Sequence, residues 1–289
     1  MKKYSNLEKN GYIKFLAPAK LNLFLKIINK RADGFHNLQS IFQNINLYDE
    51  IYIKLRDDGK VNLQNTAIQI PKELDLGYKA AKILLAGTKI GADIVIDKNI
   101  PVGSGLGGGS SDAATILMAL NSLGSINFKK NKLMKLGLNL GADVPFFIFG
   151  KNAWVEGVGE KLSPVDTPES TFFICIPDLS ISTQSIFNSF ELTKPSIPLK
   201  IATYFDGEIY DSAKNDLEGT VIKKHKEIAD LLSWLKNFGF ARMSGSGSSV
   251  FIKVKDENEA RLVDNDKGKP KNIKSFIVKG LSTHPFNYC

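Results

Sequence analysis

The chain is poor in residues that staple, chelate or anchor. Two cysteines occur in 289 residues: Cys175 within the apolar run Phe172–Ile176, and Cys289 at the end. Two such thiols make neither a disulfide framework nor a metal-ligand spacing. Cys175 reads as a buried thiol and Cys289 as a frayed terminal one. No run approaches the roughly 18 apolar residues of a membrane span. Met1-Lys2-Lys3 resembles the start of a signal peptide, but Glu8, Lys9, Lys14, Lys20 and Lys26 interrupt the segment behind it, so no apolar h-region forms. Internal repeats and low-complexity tracts are also absent. A soluble protein of a reducing, cytoplasmic compartment is expected, with no membrane partner.

Hydrophobic residues make up 43% and charged residues 24%, which excludes disordered and collagen-like chains. The length suits one large domain or two ordinary ones and needs no staple to hold a core. Positive charge is in excess: 38 Lys and Arg against 30 Asp and Glu give +8. That excess suits an anionic partner, whether nucleic acid, membrane surface or phosphorylated metabolite. The basic residues are scattered rather than striped with aromatics, which speaks against nucleic acid.

The pattern predicts strands at Ile13–Phe15, at Leu21–Ile27 (apolar at every second residue, a half-buried strand), near Ile41–Leu47, Ile51–Leu55 and Val61–Gln64, and at Ile94–Ile96. Asp33-Gly34 signals a turn. Helical spacing marks Leu76–Leu85, Ala113–Leu120, Asn131–Leu140 and a short Val144–Phe149. A Pro/Asp/Thr/Ser cluster at Pro164–Ser170 reads as a connection. Beyond it come a strand at Phe172–Ile176, a helix near Ser185–Glu191, a long helix over Thr220–Phe238, a strand–glycine loop–strand unit at Phe240–Val254, a helix at Glu257–Val263 and a strand at Ser275–Val278. Strands and helices mix without a βαβα repeat, so the fold class is α+β in two lobes, 1–163 and 164–289.

The most informative segment is Gly103-Ser104-Gly105-Leu106-Gly107-Gly108-Gly109-Ser110-Ser111, with five glycines in seven positions. It follows a strand and opens a helix, so its amides and the positive end of the helix dipole form an anion site. Ser110 and Ser111 can cap the helix, contact phosphate or touch a bound magnesium ion. Gly103, Gly105 and Gly108 match G-x-G-x-x-G, but no acidic residue follows about 20 positions on, as a dinucleotide site requires. The Gly-Lys-Ser/Thr of a P-loop and the His-Arg-Asp of a protein kinase are missing as well.

Pro101 through Ala114 resembles the phosphate loop of the GHMP small-molecule kinases. Ala17-Pro18-Ala19-Lys20-Leu21-Asn22-Leu23 and Arg242-Met243-Ser244-Gly245-Ser246-Gly247-Ser248-Ser249 are similar to two further motifs of that family, in the family's order. Arg31–Gln39, Leu140–Phe147 and Glu156–Glu160 narrow the resemblance to the branch acting on a cytidine-diphosphate-linked methylerythritol. Together the likeness spans roughly Ala17 to Gly280. It implies a two-lobed GHMP kinase fold: an N-terminal, nucleotide-binding lobe like the second domain of ribosomal protein S5, and a C-terminal ferredoxin-like lobe. It also implies transfer of the ATP γ-phosphate to the 2-hydroxyl of that alcohol, on the non-mevalonate route to isoprenoid precursors, by a monomer or weak homodimer.

By the same resemblance, Lys20 and Asp143 are the catalytic pair. Pro101, Gly103, Ser104, Gly105, Leu106, Gly107, Gly108, Gly109, Ser110 and Ser111 hold the ATP phosphates. Asn22, Phe35, His36, Thr183, Phe187, Gly245 and Ser246 bind the substrate, with Phe35 and Phe187 sandwiching the cytosine and His36 reading its edge. Asp143, just before Val144-Pro145, equally suits a helix N-cap. Magnesium is implied by the nucleotide chemistry, with no dedicated acidic cluster and with Ser110 or Ser111 as candidate ligands. Two positions depart from the family pattern: Phe35 stands where tyrosine is usual, and Asp75 where asparagine is usual.

Overall fold

The structure is a computed structural model and describes residues 5–66, 71–191, 195–201 and 214–286. Met1-Lys2-Lys3 and Cys289 lie outside the described residues. The first lobe is built on a six-stranded sheet whose two long strands, β1 (Ile13–Lys30) and β2 (His36–Arg56), form an antiparallel hairpin. Its turn follows the Asp-Gly signal: Gly34 takes φ +87°, and the Asp33 carboxylate accepts from the Phe35 amide. The other side of β2 carries β4 (Gly91–Asp97) along residues 50–56 and β5 (Ala153–Gly157) along residues 38–42. β3 (Val61–Asn65) runs parallel to β4, and β6 (Lys161–Pro164) closes the far edge. Helices α2 (Leu76–Leu85), α3 (Gly108–Leu123), α4 (Lys130–Leu138) and α5 (Val144–Phe149) belong to this lobe, with α3 packed directly on β1 and β2. A short helix α1 (Ser5–Lys9) precedes β1.

The second lobe is an antiparallel sheet in the order β10 (Ile273–Lys279), β7 (Thr171–Pro177), β9 (Val250–Val254), β8 (Arg242–Met243). Helices α8 (Lys226–Leu235) and α9 (Glu257–Asp264) pack on it, and α6 (Thr183–Ser189) and α7 (Glu218–Lys224) lie beside the cleft and α8. The period-two alternation of β7 explains its two faces. Phe173 and Cys175 enter the core shared with the helices, while Phe172, Ile174 and Ile176 point the other way. The Cys175 thiol is fully buried, and burial pushes its pKa up to about 12, as suits an inert structural cysteine.

That second face of β7 joins the lobes. Phe172, Ile174 and Phe251 pack with Leu21, Leu23, Phe24, Ile41 and Trp154 of the first sheet. Phe172 meets Phe251 edge-on at 5.8 Å, and Phe24 lies 5.4 Å from Trp154. A fully buried large side chain contributes roughly 1.5–3 kcal/mol, against about 0–1 kcal/mol for a surface ion pair. Apolar packing, not charge, therefore holds the lobes together.

Four sequence expectations change. The two strands expected over Ile13–Ile27 are one 18-residue strand, and those over Ile41–Leu55 one 21-residue strand. Register shifts at Pro18/Ala19 and Asn22/Leu25 let β1 bend without breaking. β1 is also not half-buried: Lys20, Asn22 and Phe24 are as buried as Leu21 and Leu23. The second lobe packs on Leu21, Leu23 and, within a register shift, Phe24, while Lys20 and Asn22 are covered by Phe42, Gly107, Asp143, Ser40 and Ser244. Strands β5 and β6 were not expected at all. The single helix over Thr220–Phe238 is two, α7 and α8, parted at His225 with φ −132°; no Gly or Pro marks the break.

The C-terminal segment returns to the first lobe. Leu281 donates to the Asn44 carbonyl, His284 to the Gly150 carbonyl, and the His284 ring is buried beside α3. Its Nδ1 accepts from the Phe286 amide at 3.0 Å, which leaves the Nε2 proton facing Thr115 Oγ1 at 3.3 Å. Burial lowers the ring's pKa from 6.5 to about 4. The folded chain thus resists a proton that the unfolded chain accepts, so this contribution is complete above pH 6.5 and is lost as pH falls towards 4. The loss should reach about 3 kcal/mol. Thermal melts across that window should show a fall in midpoint that His284→Gln largely removes; an equal fall in the variant would assign the effect elsewhere.

Candidate active site

Strand β1 meets the glycine loop where the lobes meet, and the two enclose a cleft of about 440 Å³. The Lys20 amide donates to the Leu106 carbonyl at 2.9 Å, so the loop is tied to the strand at Lys20 itself. The loop is also tied to the second lobe: Ser249 donates its amide to the Ser104 carbonyl at 2.9 Å, and Ser244 Oγ lies 3.3 Å from the Gly105 carbonyl. These contacts explain two of the glycines. Gly105 has φ +78°, and a Cβ there would stand 2.5 Å from the Ser244 carbonyl oxygen. Gly107 has φ +75°, begins α3 in the left-handed region, and lies against the Phe147 ring and the Lys20 stem. The first amides of α3, at Gly108, Gly109 and Ser110, have no partner within the helix, and the helix dipole adds positive potential at the same place.

Lys20 is 3% exposed and is compensated on several sides. Its ammonium donates to Asn22 Oδ1, lies 3.5 Å from Asp143 Oδ2 and sits 4.6 Å above the Phe42 ring. The Asn22 amide is fixed in turn, because its Nδ2 donates to Ser40 Oγ at 3.1 Å. Asp143 stands at the N-cap position of α5 but makes no side-chain capping bond. Its carboxylate is part-exposed in the cleft and turned to Lys20.

The second lobe contributes Thr183, Phe187, Gly245 and Ser246. Thr183 Oγ1 and Ser246 Oγ are 2.8 Å apart. The turn carrying Gly245 is held by Asn215, whose Nδ2 donates to the Met243 and Gly245 carbonyls at 2.8 and 2.7 Å. Phe187 lies 5.7 Å from the His36 ring at a 37° tilt, and Phe190 meets the same ring edge-on at 6.0 Å. Burial, with help from Lys30, lowers the His36 pKa and keeps its imidazole neutral. Among the described residues, its Nε2 is buried without a hydrogen-bond partner.

Of the residues singled out from sequence, the cleft wall brings together Lys20, Asn22, Asp143, Pro101, Gly103, Ser104, Gly105, Gly107, Gly108, Gly109, Ser110, Thr183, Phe187, Gly245 and Ser246. Four stand off it. Leu106 is buried behind the loop, and Ser111 is buried with its hydroxyl unpartnered. His36, 5.7 Å from the Phe187 ring, does not itself line the cleft. Phe35, at the hairpin turn, is 63% exposed. Asp75 caps α2, with Oδ1 accepting from Gly77 at 2.7 Å and Oδ2 accepting from Asn65 Nδ2 at 3.0 Å; both bonds use it as an acceptor, which is why a carboxylate serves there.

Sequence reasoning missed a buried ionic cluster at the base of the loop. Lys98 donates to Asp49 and, at 2.6 Å, to Asp112, with all three side chains at most 4% exposed. Burial alone would lower the Lys98 pKa, but the two carboxylates outweigh it and hold the ammonium above its usual value. Burial raises the Asp112 carboxyl well above the ordinary range. Asp112 sits inside the quoted loop motif, but nothing local in the sequence couples it to residues 14 and 63 positions away.

Comparison with known proteins agrees with this geometry. Residues 75–151 match the family model of the GHMP kinases N terminal domain, and residues 204–265 that of the GHMP kinases C terminal domain. A 4-diphosphocytidyl-2-C-methyl-D-erythritol kinase of Herminiimonas arsenicoxydans is 45% identical over 94% of this chain and 96% of its own length. One of Nitrosospira multiformis is 43% identical over 94% and 92%. A crystal structure of 4-(cytidine 5'-diphospho)-2C-methyl-D-erythritol kinase superposes with a TM-score of 0.79 at 30% identity, covering 93% of this chain and 99% of that one. A homoserine kinase from Cytophaga hutchinsonii, at TM-score 0.70 and 18% identity over 94% and 95%, shares the fold. With relatives this similar over nearly its whole length, the chain belongs to the GHMP kinases and, within them, to the 4-diphosphocytidyl-2-C-methyl-D-erythritol kinase family.

Proposed function

We propose that this chain transfers the γ-phosphate of ATP to the 2-hydroxyl of 4-diphosphocytidyl-2-C-methyl-D-erythritol, a step of the non-mevalonate route to isoprenoid precursors. The observation that carries the residue-level reading is the Lys20–Asp143 pair, at 3.5 Å, beside the open N-terminus of α3. Phosphoryl transfer asks a protein chiefly for alignment and charge neutralisation. The unpartnered amides at the start of α3 and the glycine loop suit the ATP phosphates. Lys20, held by Asn22 and Phe42, turns its ammonium to the carboxylate and lays its stem against Gly107 of the loop, and from there neutralises charge on the phosphoryl oxygens. Asp143 accepts the hydrogen bond of the 2-hydroxyl and aims its lone pair along the transfer axis.

His36, neutral and with a free Nε2, together with the face of Phe187, forms the pyrimidine subsite. Thr183, Gly245 and Ser246 border the diphosphate and polyol. Phe35, exposed next to His36 in the chain, would supply the second stacking face. Ser110, which lines the cleft, with Ser111 next to it, would hold a magnesium ion bound with the nucleotide, and the ion would supply further neutralisation of phosphate charge. The first lobe, which runs through Pro164 at the end of β6 and is joined by the C-terminal segment, holds the nucleotide, and the second lobe is its partner, working as a monomer or weak homodimer in the cytoplasm.

ATP consumption with a panel of alcohols tests the reading: turnover should require the cytidyl diphosphate substrate, and none with it would overturn the assignment. Asp143→Asn should lower kcat about 100-fold or more while the protein stays folded. Near-normal turnover would remove Asp143 from the reaction. Phe187→Ala should raise KM for the cytidyl substrate about tenfold, as expected for loss of an aromatic contact, with KM for ATP unchanged. Equal changes in both constants would count against the pyrimidine subsite.

A further inference from the structure

The buried cluster of Asp49, Lys98 and Asp112 has no part in the chemistry above, yet it sits at the base of the glycine loop. The β2–β4 ladder ends at the pair Glu50–Asp97. One residue beyond, where the backbone of β4 leaves the sheet, the Asp49 side chain takes over from the backbone. Its Oδ1 accepts from the amides of Asn99 and Ile100 at 2.6 and 2.8 Å, and its Oδ2 accepts from Lys98 Nζ. Asn99 Nδ2 adds a bond to the Tyr48 carbonyl at 3.1 Å. The same Lys98 ammonium reaches Asp112 Oδ2 at 2.6 Å, inside the first turns of α3. One ammonium thus joins the residue just upstream of the loop to the helix just downstream of it.

We propose that Asp49 is a positioning residue for the phosphate loop, a clasp that sets residues 98–100, and through Lys98 the start of α3, before any nucleotide arrives. Three donors converge on this one side chain, two amides and an ammonium. A carboxylate meets all three with acceptors; an asparagine offers one oxygen and turns an NH2 group against the ammonium. The downstream half of the loop has its own ties, through the Leu106 carbonyl to β1 and the Ser104 carbonyl to the second lobe. The segment 98–100 ahead of the loop is held through Asp49, with one further bond from the Lys98 amide to Thr66 Oγ1 at 3.2 Å. A loop set in advance spends no binding free energy on ordering its amides, so the clasp acts on ATP and not on the alcohol.

This inference rests on the nucleotide reading of the loop, and the test keeps the two apart. Wild-type turnover with ATP and the cytidyl substrate checks the nucleotide reading first. In Asp49→Asn, KM for ATP should rise about tenfold, with kcat within about threefold and KM for the cytidyl substrate unchanged; Asp49→Glu, which keeps the charge but displaces it, should fall between. A role in stability alone would lower the melting midpoint and leave both KM values where they were. Either that result in a folded variant, or a parallel rise in both constants, overturns the proposal. Hydrogen exchange of the wild-type protein decides independently of any variant's folding. The amides of Asn99 and Ile100 should be protected without nucleotide, and protection that appears only on adding a non-hydrolysable ATP analogue overturns the clasp.

Discussion

Everything in the site follows from the burial of β1 on both faces. Its first face rests on α3 and its second on the sheet of the other lobe, so a strand carrying Lys20 and Asn22 has no side turned to bulk water. An ammonium in such a place is costly unless it is paired and hydrogen-bonded. The surroundings of Lys20 meet that demand with an amide oxygen, an aromatic face and a carboxylate. Because the carboxylate alone lies on the open side, the pair that satisfies the buried charge also points it into the cleft. The cost of burying Lys20 and the means of holding it in aim are met by the same contacts.

The glycine loop shows how tightly the lobes are bound into one site. Its carbonyls at Ser104, Gly105 and Leu106 are directed at the second lobe and β1. Spending carbonyls on anchorage leaves the opposite edge of the backbone, its amides, for an anion. Gly105 passes so close to the Ser244 carbonyl that no side chain fits, which makes it a requirement of lobe contact as much as of ligand approach. A glycine-rich run therefore does two jobs that the sequence alone cannot separate.

The sequence was legible where local pattern and chemistry coincide. Helices at Leu76–Leu85 and Val144–Phe149 fall within the expected limits, because their apolar spacing and bounding residues are local properties. The glycine loop, Lys20 and Asp143 were legible through motifs. What escaped is non-local. The length of β1 and β2 depends on register shifts that a period-two reading cannot see, and burial depends on residues remote in the chain: the glycine loop and Asp143 beside Lys20, Ser244 beside Asn22, and the cluster with Phe172 and Ile174 around Phe24. Asn215, which fixes the turn at Gly245, and Asp49 are single polar residues with no local signature. Their function is conferred by what folds against them.

The charge surplus of +8 takes a different meaning in this light. Two lysines that matter most here, Lys20 and Lys98, are buried and already paired with carboxylates, so they add little to the field seen at long range. They act over one or two bond lengths, where a fixed ammonium in a low-dielectric cleft outweighs several screened surface charges. In the proposed reading, an anionic ligand in this cleft meets short, oriented donors: the amides at the head of α3 and the Lys20 ammonium. The same logic explains why the cluster at Lys98 carries two carboxylates for one ammonium. A bare buried cation would draw any nearby anion to itself, whereas Lys98, paired with Asp49 and Asp112, ties the segment ahead of the loop to α3 and, in the proposed reading, leaves the attraction to the donors that face the cleft.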